Sequence, residues 1–325
     1  MADAEMSVHI FKEVNGLSLS IDVTKPEATT DKGVVLVHFH GGYLILGEKT
    51  TGPPHWLINA CRARGWTYAT PSYRLLPEAT GSETLADALD AINWAVKNIS
   101  RRIVIAGSSA GGYLALAVAA HPDCPRPLAV LANYGMLDPS SRRYIEPGHV
   151  LRGPTKDLPG TVAEIKQAIE SGKVVDGYPF PANPPTDPRF NWVNALHEAA
   201  LFPDVLTRIP GLASRIVAEG VEAIPNEHRV LFPVPCGLKK GFPPVVLLHG
   251  DADMLVGIEQ SVKAAEKMVQ LGIDVHLERA VGQGHGFEHM SFIDLETYNA
   301  GEDKEMLECL RRVVAVLEKH VAKAA

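Results

Sequence analysis

Apolar and polar positions along the chain follow two alternating rhythms. Continuous apolar runs recur: "GVVLVHF" to Phe39, "RIVIAG" to Gly107, "PLAVLANYG" to Gly135 and "PPVVLLHG" to Gly250. Runs of this length and kind predict strands buried on both faces. "WTYATPSY" and "DVHLERAV" read as further strands, and "HIFKEV" and "LSLSIDVT" flank Asn15-Gly16 as a hairpin. Between the strands the apolar residues take helical spacing. In "SETLADALDAINWAVKNIS", Leu85, Leu89, Ile92 and Val96 share one face, with Ser82 as the N-cap. "PHWLINACRARG" predicts a helix closed by Gly65, and "AGGYLALAVAAH" and "GIEQSVKAAEKMVQLG" predict two more. A last helix is expected from Asp303 to Lys319.

The rhythm breaks at Asp138 and resumes after Phe242. "YPFPANPPTDP" and "LFPVPCG" interrupt this stretch, and "TVAEIKQAIESG", "FNWVNALHEAALF" and "DVLTRIPGLASRIVAEG" are its helical candidates. Trp192, Leu196, Leu201, Phe202 and Leu206 make it too apolar for a linker. The reading is a core of residues 1–137 and 243–325, with residues 138–242 inserted as a helical lid. Alternating strands and helices predict a mostly parallel sheet with helices on both faces. In such sheets ligands bind beyond the carboxyl ends of the strands, so chemistry is expected there.

One of those ends carries "AGSSAGGY", a G-x-S-x-G pattern at Gly107-Ser108-Ser109-Ala110-Gly111. Between an apolar strand and an apolar helix this pattern builds a sharp turn presenting Ser109 as a nucleophile. The alternative, a phosphate-binding turn, lacks the G-x-G-x-x-G of a dinucleotide fingerprint and follows the fifth strand rather than the first. A serine hydroxyl needs a base, and the base an orienting acid. His285 in "VGQGHGFEH" has glycines around it after the last strand, with His289 as its local competitor. Asp253 and Asp251 in "HGDADMLV" both qualify as the acid; Asp253 is preferred because apolar neighbours anchor it, while Asp251 suits a turn cap. Asp138 after the sixth strand is an outside candidate.

In the order Ser109, Asp253, His285 these residues resemble the α/β-hydrolase fold, an eight-stranded, mostly parallel sheet with the lid after strand 6. Within it, "HFHGGY" and "GSSAGG" look like the hormone-sensitive-lipase-like carboxylesterases. Two positions depart from that group: Tyr43 replaces a third glycine, and "HGDAD" replaces D-P-L-x-D, as in prolyl-oligopeptidase-like and dienelactone-hydrolase-like members. The H-G-G-Y loop is also similar to kynurenine-formamidase-like hydrolases. The resemblance implies hydrolysis of a small to medium ester or lactone through an acyl-enzyme. Backbone N–H groups of Gly41, Gly42 and Ala110 would hold the oxyanion, with no metal or organic cofactor. Tyr43 and Tyr113 are candidates for bordering the substrate, as are the lid aromatics Tyr144, Tyr178, Phe180, Phe190, Trp192 and Phe202. The alternatives are an amidase or peptidase and a non-hydrolytic binding or biosynthetic member of the fold.

Composition narrows the partners. Of 325 residues 46% are hydrophobic and 21% charged, the balance of a soluble globular chain. A net charge of −7 with no basic block argues against nucleic acid. No apolar stretch approaches the ~20 residues of a membrane span. The N-terminus lacks the basic and apolar regions of a secretory leader, so a cytoplasmic location is expected, and a homodimer is left open. Cys61, Cys124, Cys236 and Cys309 show no metal or disulfide spacing. His38 and His40 are two apart but lack the further ligands a metal needs. They read instead as a strand-end core residue and a holder of the glycine loop.

Overall fold

The computed structural model describes residues 6–26, 33–151, 153–290, 294–297 and 304–323. Its strands are β1 (Met6–Val14), β2 (Leu17–Thr24), β3 (Val35–Phe39), β4 (Thr67–Pro71), β5 (Ile103–Ser108), β6 (Ala129–Asn133), β7 (Val245–Gly250) and β8 (Val275–Ala280). They form one eight-stranded sheet in the order β1-β2-β4-β3-β5-β6-β7-β8. β1 and β2 make the hairpin, closed at Val14↔Leu17 by Asn15 and Gly16. β2 runs antiparallel to β4, and every pairing from β4 to β8 is parallel.

The apolar strand runs serve two cores at once. Val35, Val37, Ile103, Ile105, Val130, Val245 and Leu247 face one cluster. Their neighbours Leu36, Val104, Leu131, Val246 and Leu248 face the other. This is the period of two expected of a strand, hidden in the sequence because both faces are buried. Helices α1 (His55–Ala63) and α10 (Lys304–Lys323) cover the second face. Helices α2 (Gly81–Asn98), α3 (Ala110–Ala120) and α9 (Glu259–Gln270) cover the first. Gly65, just past α1, takes φ +66° as a helix terminator should.

α2 starts earlier than expected. Its N-cap is Thr80, not Ser82: Thr80 Oγ1 accepts from Glu83 N at 3.1 Å, and Thr80 N donates to Glu83 Oε2 at 2.7 Å. This reciprocal capping box satisfies two end donors, which a cap at Ser82 could not do with Glu83 as its immediate neighbour. The last helix runs on to Lys323, while Asp303 lies outside the described residues.

Between β6 and β7 stand α4 (Arg142–Ile145), α5 (Leu158–Glu170), α6 (Pro188–Glu198), α7 (Phe202–Thr207) and α8 (Leu212–Glu219), then short helical turns to Gly237. The segment expected as one helix over 204–220 is two, because Arg208 and Gly211 adopt left-handed conformations around Pro210. Ile165, Val193, Leu196, Phe202, Leu206, Leu212 and Ile216 join the cluster that holds α2 and α3. Buried Arg189, from α6, donates to Ile45 O at 2.5 Å and Leu76 O at 3.1 Å and pairs with Glu78. Both charged side chains of that pair are about nineteen-twentieths buried, at 5% and 6% exposed. Arg189→Met is therefore expected to destabilise the protein by about 3–5 kcal/mol, since Glu78 keeps its burial and loses its partner. Thermal unfolding checks this, and adding Glu78→Gln to Arg189→Met should restore part of the loss.

Candidate active site

β5 ends in a reversal that puts Ser109 at φ 56° and ψ −118°, a region a side chain seldom occupies. Two glycines make the reversal possible. A Cβ on Gly107 would lie 2.0 Å from Gly111 O, and one on Gly111 would lie 2.0 Å from Phe39 O. The turn thus packs backbone on backbone, and Ser109 N is tied to Asn133 O at 2.8 Å. Ser109 precedes α3, whose N-terminal N–H groups favour developing negative charge.

The end of β3 runs past the same place. A Cβ on Gly41 would lie 3.1 Å from Ser109 Cβ, so the Gly41 backbone abuts the turn at Ser109. Gly42 takes φ +118°, where a side chain would strike Leu46 O. Among the described residues, the N–H groups of Gly41, Gly42 and Ala110 donate to no backbone or side-chain acceptor. His40 holds this loop: its Nδ1–H donates to Gly41 O at 2.8 Å, its ring stacks on Tyr73 at 4.3 Å, and Tyr73 donates to His40 O at 2.8 Å. His38 Nε2 lies 3.0 Å from Ser108 Oγ within the sheet end. Both imidazoles are thus engaged locally.

β7 and β8 bring the remaining groups. Their register, Gly250↔Ala280, sets the two following loops side by side, and Ala252 N donates to Gln283 O at 3.0 Å. His285 Nδ1–H donates to Asp253 Oδ2 at 2.6 Å, and Ser109 Oγ donates to His285 Nε2 at 3.0 Å. Asp253 Oδ1 accepts from Leu255 N and Val256 N, each at 2.9 Å. Buried His249 steadies this loop by donating from Nε2 to Val256 O at 2.8 Å, with Asp253 Oδ2 only 3.4 Å away. Burial pushes the Asp253 carboxyl up, but His249, His285 and the Val256 N–H outweigh it and hold the group well below the usual carboxylate range. Asp251 instead accepts from Gly282 N at 2.6 Å as a turn cap. Asp138 turns to Ser140, whose N and Oγ donate to its Oδ1 at 2.9 and 2.5 Å.

Ser109, His285 and the glycine loop open onto a cavity of about 380 Å³. Tyr43, Leu46, Leu255 and, from the insert, Leu151, Phe180, Phe190 and Val193 supply its apolar wall. No Asp, Glu, Lys or Arg lines it among the described residues. Tyr43 borders it and donates to Leu255 O at 3.0 Å. Tyr113 is not among the residues that line this cavity; it is buried in the core with its hydroxyl on Leu231 O at 2.9 Å. Of the insert's other aromatics, Tyr144 and Phe202 pack on each other at 5.4 Å, Trp192 donates to Glu164, and Tyr178 donates to Asp187. Gly47 and Tyr178 exchange backbone hydrogen bonds of 2.6 and 2.9 Å, clipping the insert to the glycine loop.

A further polar group stands beside His285. Tyr134, directly after β6, donates to Glu288 Oε1 at 2.5 Å and accepts from His289 Nε2 at 2.8 Å. The sequence signal was Glu288 itself, a lone acid between Phe287 and the turn's end, beside a histidine.

Burial also sets proton affinities. It lowers His38 to about 3, with His289 and His40 adding to the effect, and lowers His40 and His197 to about 4 against their bonds to Gly41 O and Val193 O. These groups are neutral in the fold, whereas the unfolded chain protonates near 6.5. Their contribution to stability is complete above about pH 6.5 and is lost as pH falls towards 4, by about 3 kcal/mol for one such imidazole. Urea unfolding at pH 7 and pH 4.5 should show this loss, and His197→Gln should flatten it.

The fold and this end of the sheet define an α/β-hydrolase. A family model described as alpha/beta hydrolase fold (Abhydrolase_3) matches residues 36–207, and the chain belongs to that family. The non-reducing polyketide synthase pkbA of Emericella nidulans is 24% identical over 88% of this chain and 13% of the synthase. This chain therefore spans a small part of the synthases it matches. Lipase 2 of Moraxella sp. is 24% identical over 80% of this chain and 55% of the lipase. The propionate-bound esterase Est2 of Thermogutta terrifontis shares the fold, with a TM-score of 0.59 at 18% identity over 99% of this chain and 95% of its own. No helix among the described residues is long and apolar enough to cross a membrane.

Proposed function

We propose that the protein is a serine hydrolase that cleaves a neutral carboxylic ester of small to medium size. The observation that carries this reading is the unbroken relay from Asp253 through His285 to Ser109, at 2.6 and 3.0 Å, at the mouth of an uncharged cavity. Ser109 Oγ attacks the ester carbonyl while His285 takes its proton, and Asp253 stabilises the imidazolium. The free N–H groups of Gly41, Gly42 and Ala110 receive the oxyanion, where one donor is typically worth about 10²–10³ in rate. His285 returns the proton to the leaving alcohol, and water then releases the acid by the same route reversed. The insert, residues 138–242, acts as the lid, shaping the apolar wall through Leu151, Phe180, Phe190 and Val193.

Covalent labelling with a fluorophosphonate tests the nucleophile; unlabelled wild-type protein would overturn the reading. Hydrolysis of p-nitrophenyl acetate, butyrate and octanoate, compared with aminoacyl and formyl amides, separates an esterase from an amidase. The synthase relatives favour a second reading, in which the acyl group on Ser109 passes to an acceptor hydroxyl instead of water. An ester product formed from p-nitrophenyl acetate and an added alcohol, in preference to acetate, distinguishes it.

A further inference from the structure

His285 has little local support. Gly284 and Gly286 flank it, the latter at φ +68°, so the backbone alone does not fix where the ring stands. Besides its bonds to Asp253 and Ser109, the ring meets Tyr134 edge-on at a centroid distance of 4.6 Å. Tyr134 in turn is fixed at both ends. Its N–H donates to Leu248 O at 2.6 Å, anchoring it to the end of β7. Its hydroxyl donates to Glu288, which is fully buried and sits in the helical turn Phe287–Met290 that begins two residues after His285. His289 of the same turn donates to that hydroxyl.

A phenol has one proton to give, and a carboxylate is the stronger acceptor. The hydroxyl therefore donates to Glu288 and accepts from His289, which closes a loop: β6 end, Tyr134, Glu288, and back along the chain to His285. From these contacts we infer that Tyr134 and Glu288 are a positioning pair for His285, holding its ring in line between Asp253 and Ser109. The inference rests on the proposed serine-hydrolase reading and names how that site is kept in register. The pair explains why a buried acid sits next to the base loop without touching the cavity. The titratable groups around it are Asp253 and His285 from the loops after β7 and β8, and His289 from its own turn. His38 from β3 and His55 from α1 also feel the charge of His289.

Two variants separate positioning from mere packing. Tyr134→Phe keeps the ring contact and removes both hydroxyl bonds. It is expected to lower kcat for p-nitrophenyl acetate by roughly tenfold to a hundredfold, the scale of a misplaced reacting group, with KM unchanged. Glu288→Leu keeps the phenol and removes its acceptor, and is expected to lower kcat on the same scale, again with KM unchanged. Circular dichroism establishes that each variant is folded, and Glu288→Leu stands as the test if Tyr134→Phe is not. Folded variants with wild-type kcat overturn the inference while leaving the hydrolase reading standing. An inactive, unlabelled wild type overturns both.

Discussion

Ser109→Ala is expected to reduce kcat for p-nitrophenyl acetate by about 10⁴–10⁶-fold without unfolding the protein. The size follows from what is removed. On the proposed mechanism, His285 loses the proton of the hydroxyl 3.0 Å away, and the acyl-enzyme route closes. What remains is the oxyanion site and substrate binding, which on their own supply about 10³–10⁴ over water. The fold should survive because the turn is secured by backbone: Ser109 N on Asn133 O, Gly112 N on Ser109 O, and the close passage of Gly107 against Gly111. Release of p-nitrophenolate measures the loss and circular dichroism the fold. A variant retaining more than a small fraction of activity would place the chemistry elsewhere.

The second large effect separates two aspartates that lie two residues apart. Asp253→Asn is expected to lower kcat by about 10⁴, while Asp251→Asn stays within about twofold. Asp253 accepts on both oxygens, from His285 on one side and from Leu255 and Val256 on the other. An amide in its place must turn its NH₂ towards one set of donors. If it faces His285, the imidazole is held in the wrong tautomer and cannot accept from Ser109. Asp251 accepts from Gly282 N at the surface, and asparagine serves that bond equally well. Equal losses in the two variants would contradict the assignment.

Much of the architecture is written locally. Each central strand is a short apolar run because both faces are buried, and Gly41, Ser109, Tyr134 and Asp253 follow the ends of β3, β5, β6 and β7. The turn at Ser109 is legible because part of its constraint is local: Gly107 is demanded by the crossing of its own backbone against Gly111, while Gly111 also makes room for Phe39 of β3. Choosing between Asp253 and Asp251 is harder, since both are loop aspartates and only the geometry of the loop after β7 assigns them different donors. Ser82 looked like a cap because it lies nearest the apolar periodicity, yet T-G-S-E at residues 80–83 spells the capping box. The Arg189–Glu78 pair and the Tyr134–Glu288 bond were out of reach. Their partners lie 111 and 154 residues apart, and neither member sits in a pattern that points to the other.

The clip between Gly47 and Tyr178 bears on how such proteins can be recombined. Because Gly47 gives both its N–H and its C=O to the insert, and Ile45 O is held by Arg189, the insert is not a free module. Grafting residues 138–242 alone from a relative would strand those backbone groups beside Gly41 and Gly42. A chimera that carries residues 42–48 along with the insert would move the matched surface as one cassette. On the proposed function, substrate scope and the glycine loop would then be inherited together.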